Sequence, residues 1–337
     1  MQYRLKGGQK IVLLDGLGRL YRPGWASRMN YHYNREQARK TPFNLKEWNS
    51  YQFIKDRWVV QLTIGHVSYA CNVAAALFSL DTGEKREVGR MKLFHIPTLD
   101  RDPEQPSVNE FRDKDFHMRF EVTDRARRLT FQGRSGRWGD VSVRLELEND
   151  PDNQKLVIAT PFRRPRQFYL NYKENYYTAR GFARFGELRV DLDGASGVLD
   201  WGRGIWPYRH EWWWGNLTAQ VDGADFAFNI GWGFGDLRCA TENVYFYRRK
   251  AYKLGTLRVE REGGFMDSWH IKGEAGKRAM ELCFRPIYDN YTENKLLVID
   301  THCNQVFGLF DGWVETDGGR VEFHDLLGFI EHAVNRW

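Results

Sequence analysis

Apolar and polar residues alternate with period two along most of the chain. Arg57–Ile64 and His66–Leu80 are apolar and β-branched, and Asp81-Thr82-Gly83 then turns the chain into Lys85–Phe94. Asp115–Val122, Arg127–Gly133 and Asp140–Leu147 continue a meander through a polar turn at Thr123-Asp124. Leu156–Thr160, Gln167–Asn175, Tyr176–Phe185 and Glu187–Asp193 follow at similar spacing, and further segments between Leu257 and Phe323 keep the rhythm. Short strands with regular turns predict a mainly β, antiparallel barrel or sandwich. Helix is expected only at Tyr33–Arg39 and at the C-terminus from Asp325, where an Asp precedes Leu326-Leu327. The absence of a βαβ rhythm argues against a doubly wound nucleotide-binding fold. Two prolines and three arginines in Pro161–Arg166 interrupt the strands. They read as a connector between two halves, about 1–165 and 166–337, or as an anion-binding loop.

The pattern is densest in aromatic residues at 197–216, which holds five of the thirteen tryptophans together with Asp200, Arg203, Arg209, His210 and Glu211. Charge beside large rings must be paired or hydrogen-bonded. The segment is therefore either a satisfied structural knot or the wall of a pocket. Downstream, Asp222-Gly223 carries a two-residue hairpin signature. That loop would place Trp214 opposite Gly231, Trp212 opposite Gly233 and His210 opposite Gly235. On the other face, Trp213 meets Trp232, Glu211 meets Phe234 and Arg209 meets Asp236, the last a potential ion pair. The glycine strip either lies under the indoles or leaves room for a flat ligand. Asp200 and Arg203 either brace one another or present an acid and a cation to a pocket.

Composition narrows the class. Aromatics make up 15% of the chain, and 32 glycines against 10 prolines suit tight turns rather than disorder. The net charge of +6 comes from 50 basic and 44 acidic residues dispersed along the sequence, so no nucleic-acid partner is expected. No apolar run approaches a membrane helix, and no integral membrane association is expected. The N-terminus lacks a signal peptide, and the four widely spaced cysteines read as reduced thiols in a cytoplasmic protein. Asp15-Gly16-Leu17-Gly18 lacks the third glycine of a dinucleotide fingerprint, and no histidines stand at HxH or HExxH spacing. The reading carries no cofactor and no metal.

The stretches Leu199-Asp200-Trp201-Gly202-Arg203-Gly204, Phe228-Asn229-Ile230-Gly231-Trp232-Gly233-Phe234-Gly235, Thr241-Glu242-Asn243 and the closing Asp325–Trp337 resemble the family of domain of unknown function 2804. More distantly, the layout is similar to the carotenoid hydratase and AttH-like group. That resemblance implies two lipocalin-like (calycin) β-barrels and the handling of carotenoid, terpenoid or lipid molecules. This chain has Glu-Trp-Trp-Trp where the hydratases have Gly-Trp-Asp-Trp. The reading is thus a hydrophobic small molecule held in a β-barrel cavity, with or without acid–base hydratase, isomerase or cyclase chemistry. Asp200 and Glu242 are the candidate acids. Arg203, Tyr208, Arg209, His210, Trp212, Trp214, Asn229, Gly231 and Gly233 are the candidate ligand contacts. The alternative is a non-catalytic module with the aromatic hairpin at an oligomer interface.

Overall fold

A computed structural model describes residues 2–5, 10–38, 43–296 and 299–336. Short strands β1 (Ile11–Val12), β2 (Gly24–Ala26) and β3 (Tyr31–His32) precede the one-turn helix α1 (Arg35–Ala38). The Asn34 side chain caps α1 by accepting the backbone N–H groups of Glu36 and Gln37. Two meanders follow. One is β4 (Leu45–Lys55), β5 (Trp58–His66), β6 (Ala70–Ser79) and β7 (Lys85–Leu93); the other is β8 (Ser107–Arg112), β9 (Phe116–Val122), β10 (Ala126–Ser135) and β11 (Gly139–Glu148). With β2, β12 (Leu156–Pro161), β13 (Phe168–Phe185), β14 (Leu188–Asp191) and β15 (Ala195–Ile205) they make one antiparallel sheet, joined through the β4–β15–β13–β11 pairings.

The second antiparallel sheet comprises β16 (Arg209–Val221), β17 (Ala224–Trp232), β18 (Val244–Tyr247), β19 (Lys250–Lys253), β20 (Leu257–Arg261), β21 (Trp269–Ala275), β22 (Arg278–Leu296), β23 (Ile299–Thr316) and β24 (Gly319–Arg336). Both sheets curl into half-barrels, as the calycin resemblance implied. Pro161–Arg166 lies at the turn joining β12 to β13, and the chain passes to the second sheet through Trp206-Pro207-Tyr208.

The expected C-terminal helix is absent, because Asp325–Arg336 is strand. β24 pairs with β16 on one side and β23 on the other, so its backbone groups are taken up by neighbouring strands. Asp325 is no helix cap. It takes φ +56 where the β23–β24 register shifts, and its N–H donates to Asp311 Oδ1 at 2.9 Å.

The Asp222-Gly223 loop has positive φ at both residues, the type I′ requirement, and sets the expected register from Val221↔Ala224 to Trp213↔Trp232. Beyond Trp232 the expectation fails. Gly233 and Gly235 adopt φ +85 and +74 outside the strand, and Arg209 lies across from Arg336 instead. Asp236 is bound by Arg238 at 2.7 Å, not by Arg209.

Period-two alternation gives each sheet an inner apolar core and an outer face that meets its partner. In β15, Leu199, Trp201 and Arg203 enter the first core, while Val198 and Asp200 face the second sheet. Asp200 and Arg203 therefore do not pair. Arg203 is fully buried: its Nη2 meets Asp100 Oδ1 and Asn49 Oδ1, each at 2.8 Å, its Nη1 donates to Trp48 O at 2.7 Å, and its guanidinium lies 4.0 Å from the Trp201 ring. The Trp201 indole N–H shares the same Asp100 carboxylate. Gly202 stands between them because a Cβ there would fall 1.9 Å from the Trp48 ring. Asp100→Ala would leave this guanidinium buried without its closest carboxylate, and should cost about 3–5 kcal/mol in urea unfolding. A cost below about 1 kcal/mol would show that the carbonyl contacts suffice.

Candidate functional site

Where the outer faces of the two sheets meet, β15 contributes Asp200 and β13 contributes Tyr169 and Lys173. Opposite them stand Trp212 and Trp214 of β16, Gln305 of β23 and Glu331 of β24. They border a cavity of about 690 Å³. Apolar packing closes two flanks: Trp25, Ile158, Phe234 and Phe246 on one side, Val59, Phe78, Phe307 and Phe329 on the other. The cavity thus lies between the sheets, while the inner faces of both are occupied by their own cores.

Aromatic and polar walls divide this space. Trp206 centres the aromatic wall, with ring centroids 5.0 Å from Trp48, 5.8 Å from Trp212 and 4.7 Å from Phe234. The two indoles of β16 that line the cavity each donate their N–H to a side-chain acceptor: Trp212 to Glu331 at 2.8 Å, Trp214 to Asn229 at 2.7 Å. Their ring faces are left as apolar or cation-binding surface, and that of Trp214 already carries the Lys173 ammonium. The polar wall is a chain of amides across the interface. Gln61 Nε2 bridges the side-chain oxygens of Gln52 and Gln305 at 2.7 Å each, and Gln305 Nε2 donates to Glu331 at 3.1 Å.

Charge is concentrated at the aromatic end. Lys173 Nζ lies 2.8 Å from Asp200 Oδ1 and 3.6 Å from the centroid of the Trp214 ring. Asn171 Nδ2 also donates to Asp200 at 2.8 Å. Glu242 and Glu331 share this neighbourhood. Burial raises both above the ordinary carboxyl value; Lys173 opposes the shift and Asp200 reinforces it in each case. Tyr169 is within hydrogen-bonding reach of Glu242. Burial that Lys173 only partly offsets therefore leaves Glu242 and Glu331 as neutral acids over a wider pH range than exposed glutamates. That set can donate protons to a molecule held against the indoles.

The residues expected from sequence divide accordingly. Asp200, Glu242, Trp212 and Trp214 line the cavity. Asn229 stands behind it, holding the Trp214 indole and the Glu242 carbonyl. Gly231 allows close approach of Glu242, whose Cβ would lie 3.0 Å from an added methyl; Gly233 is beyond the strand end. Arg203 points into the first core, and Tyr208 and Arg209 are exposed. His210 packs against Trp206 and Trp212 with its Nδ1–H donated to Pro207 O at 2.8 Å. Lys173, Glu331, Tyr169 and Trp206 escaped the candidate set. Glu331 was hidden by the helical reading of the C-terminus, whereas Lys173 and Tyr169 sit in a strand with no motif of its own.

A family model described as domain of unknown function (DUF2804) matches residues 5–337. Among solved structures, kievitone hydratase from Nectria haematococca aligns over 88% of this chain and 91% of its own, at 12% identity and a TM-score of 0.54. An AttH-like protein from Nitrosomonas europaea aligns over 86% of this chain and 92% of its own, at 11% identity and a TM-score of 0.46. The hydratase likeness establishes a shared fold. No curated protein sequence matches the chain.

Burial pushes the His210 imidazole down from 6.5 to about 4. The unfolded chain then binds a proton that the folded chain refuses, so stability is present above pH 6.5 and declines as pH falls toward 4. Urea unfolding of the wild type should show that acid limb, and His210→Asn should flatten it. An unchanged limb would place the acid sensitivity elsewhere.

Proposed function

The chain belongs to the DUF2804 family, and from that premise we propose that it binds an apolar, unsaturated small molecule between its two sheets and transfers a proton to it from Glu242. The observation that carries this reading is the pair of buried carboxyl groups with raised pKa, Glu242 and Glu331, in a cavity walled by Trp206, Trp212 and Trp214. Its volume of about 690 Å³ is that of a small-molecule site. The likeness to a protein named as a hydratase supports the same direction only by analogy of fold.

In this reading the indoles and Phe234 hold the apolar body of the ligand. The neutral Glu242 carboxyl gives its proton to one carbon of a double bond. Positive charge then develops on the adjacent carbon, where the faces of the tryptophans stabilise it. Water adds to that carbon, and the Glu242 carboxylate recovers a proton from the added water. The net change is addition of H₂O across the double bond, with the acid restored. Asp200, already paired with Lys173, keeps its position and anchors the ammonium. Loss of a proton from the cation instead of water addition would give isomerisation from the same first step.

A panel of terpenoid and unsaturated lipid alkenes incubated with the protein in D₂O tests the proposal. A turned-over substrate should gain one non-exchangeable deuterium on carbon, detected by mass spectrometry. Glu242→Gln should lower kcat/KM by about 100-fold or more while leaving Kd within about threefold. The wild-type kcat/KM should be high at acid pH and fall as pH rises through the elevated Glu242 pKa. Unchanged turnover in Glu242→Gln would remove the acid from this residue.

A further inference from the structure

A row of residues crosses the first sheet from its outer edge to the buried charges. Gly89 of β7, Ala74 of β6, Thr63 of β5, Ser50 of β4, Asp200 of β15 and Lys173 of β13 are successive cross-strand partners, and all six border the cavity. β7 is the outermost strand, and Gly89 is exposed there. Period two puts the residues two positions away in parallel rows on the same face. One such row holds Gln52 and Gln61, whose amides bond to Gln305 of the second sheet at 3.2 and 2.7 Å. Two positions beyond this seam the space between the sheets is full, because Val59 and Phe78 pack with Phe307 and Phe329. On the other side of the seam the side chains are small. Gly89, Ala74, Thr63 and Ser50 form the floor, and Thr292, Cys303 and Ala333 form the corresponding row of the second sheet before it reaches Trp212.

Sheets packed face to face stand about 10 Å apart, a distance that large side chains fill and small ones do not. The result is a slot. Four strand intervals separate Gly89 from Asp200, about 19 Å at the usual interstrand spacing. Flanking rows set its width: the amide seam on one side, and Trp48, Gly65, Asn72 and Met91 on the other. Rows two residues apart along a strand lie about 6.7 Å from one another, which suits a single chain better than fused rings. The Ser50 and Thr63 hydroxyls pair with one another at 2.8 Å, which lowers the cost of covering them with hydrocarbon. We propose that the slot holds an extended, acyclic hydrocarbon chain, its tail toward the β7 edge and its reacting end at Asp200 and Glu242, and that Ala74 sets the length of chain accepted. This names the shape of the ligand in the reading above and rests on that reading.

Titration of tryptophan fluorescence with three alcohols tests this: geranylgeraniol, the shorter geraniol, and manool, a bicyclic isomer of geranylgeraniol. The wild type should bind geranylgeraniol at least about tenfold more tightly than either of the others. Ala74 stands three strand intervals from Asp200, beyond the reach of the short alcohol. Ala74→Phe should therefore weaken geranylgeraniol about tenfold or more and leave geraniol within about twofold. Thermal unfolding checks that the variant is folded, and Ala74→Leu carries the same test with a smaller side chain. Manool bound as tightly as geranylgeraniol, binding of none of the three, or a folded Ala74 variant that keeps the full preference for the longer alcohol overturns the slot. Proton transfer is read separately by deuterium uptake. Uptake without a preference for length or shape overturns the slot alone, and the preference without uptake overturns the acid alone.

Discussion

Lys173 is the cation on which the electrostatics of the cavity depend. It is almost wholly buried, and it holds Asp200 by a short ion pair while its charge rests on the Trp214 ring. A buried ammonium is tolerated only with compensation of this kind. Its positive charge acts on Asp200, Glu242 and Glu331 together, and it lowers the pKa of both glutamates against their burial. Asp200 takes the direct contact. Glu242 and Glu331 are left with desolvation that the more distant ammonium only partly offsets, and both are raised.

That arrangement depends in turn on the alternation of β15 and its neighbours. Adjacent positions of one strand send Trp201 and Arg203 into the first core and Asp200 toward the second sheet. Two polar networks are thereby kept apart by a single layer of backbone. The inner one is enclosed in the core: Arg203 and the Trp201 indole donate to Asp100, and Arg203 donates to Asn49. The outer one borders open space. A network enclosed in a core braces the fold, whereas one beside a cavity has acids available to a bound molecule.

Much of the architecture was legible in the chain. Period two and turn chemistry identified the mainly β class, and Asp222-Gly223 set the register of β16 and β17 as far as Trp213↔Trp232. The same alternation separated Trp212 and Trp214 from Trp213, which stacks instead on Trp232 and His332. Local rules misled where a longer-range pairing competed. Asp325 looked like a helix cap, yet strand neighbours on both sides of β24 satisfy its backbone better than an isolated helix would. Arg209 and Asp236 looked like partners only while the hairpin was extended past Trp232, where Gly233 turns the chain away.

The sequence by itself determined the alternation, the tight turns and the concentration of indoles near the acids, because these follow from local backbone preference and side-chain period. It did not determine which charges meet. Lys173, Asp200, Glu242 and Glu331 come from separate strands or connections of both sheets, and their proximity arises only when the outer faces pack. Burial and mutual distance set the protonation of such groups, and both are properties of the assembled sheets. Tertiary structure therefore decided that the aromatic segment is a cavity wall and that Arg203, two residues beyond the ring it packs on, belongs to the core.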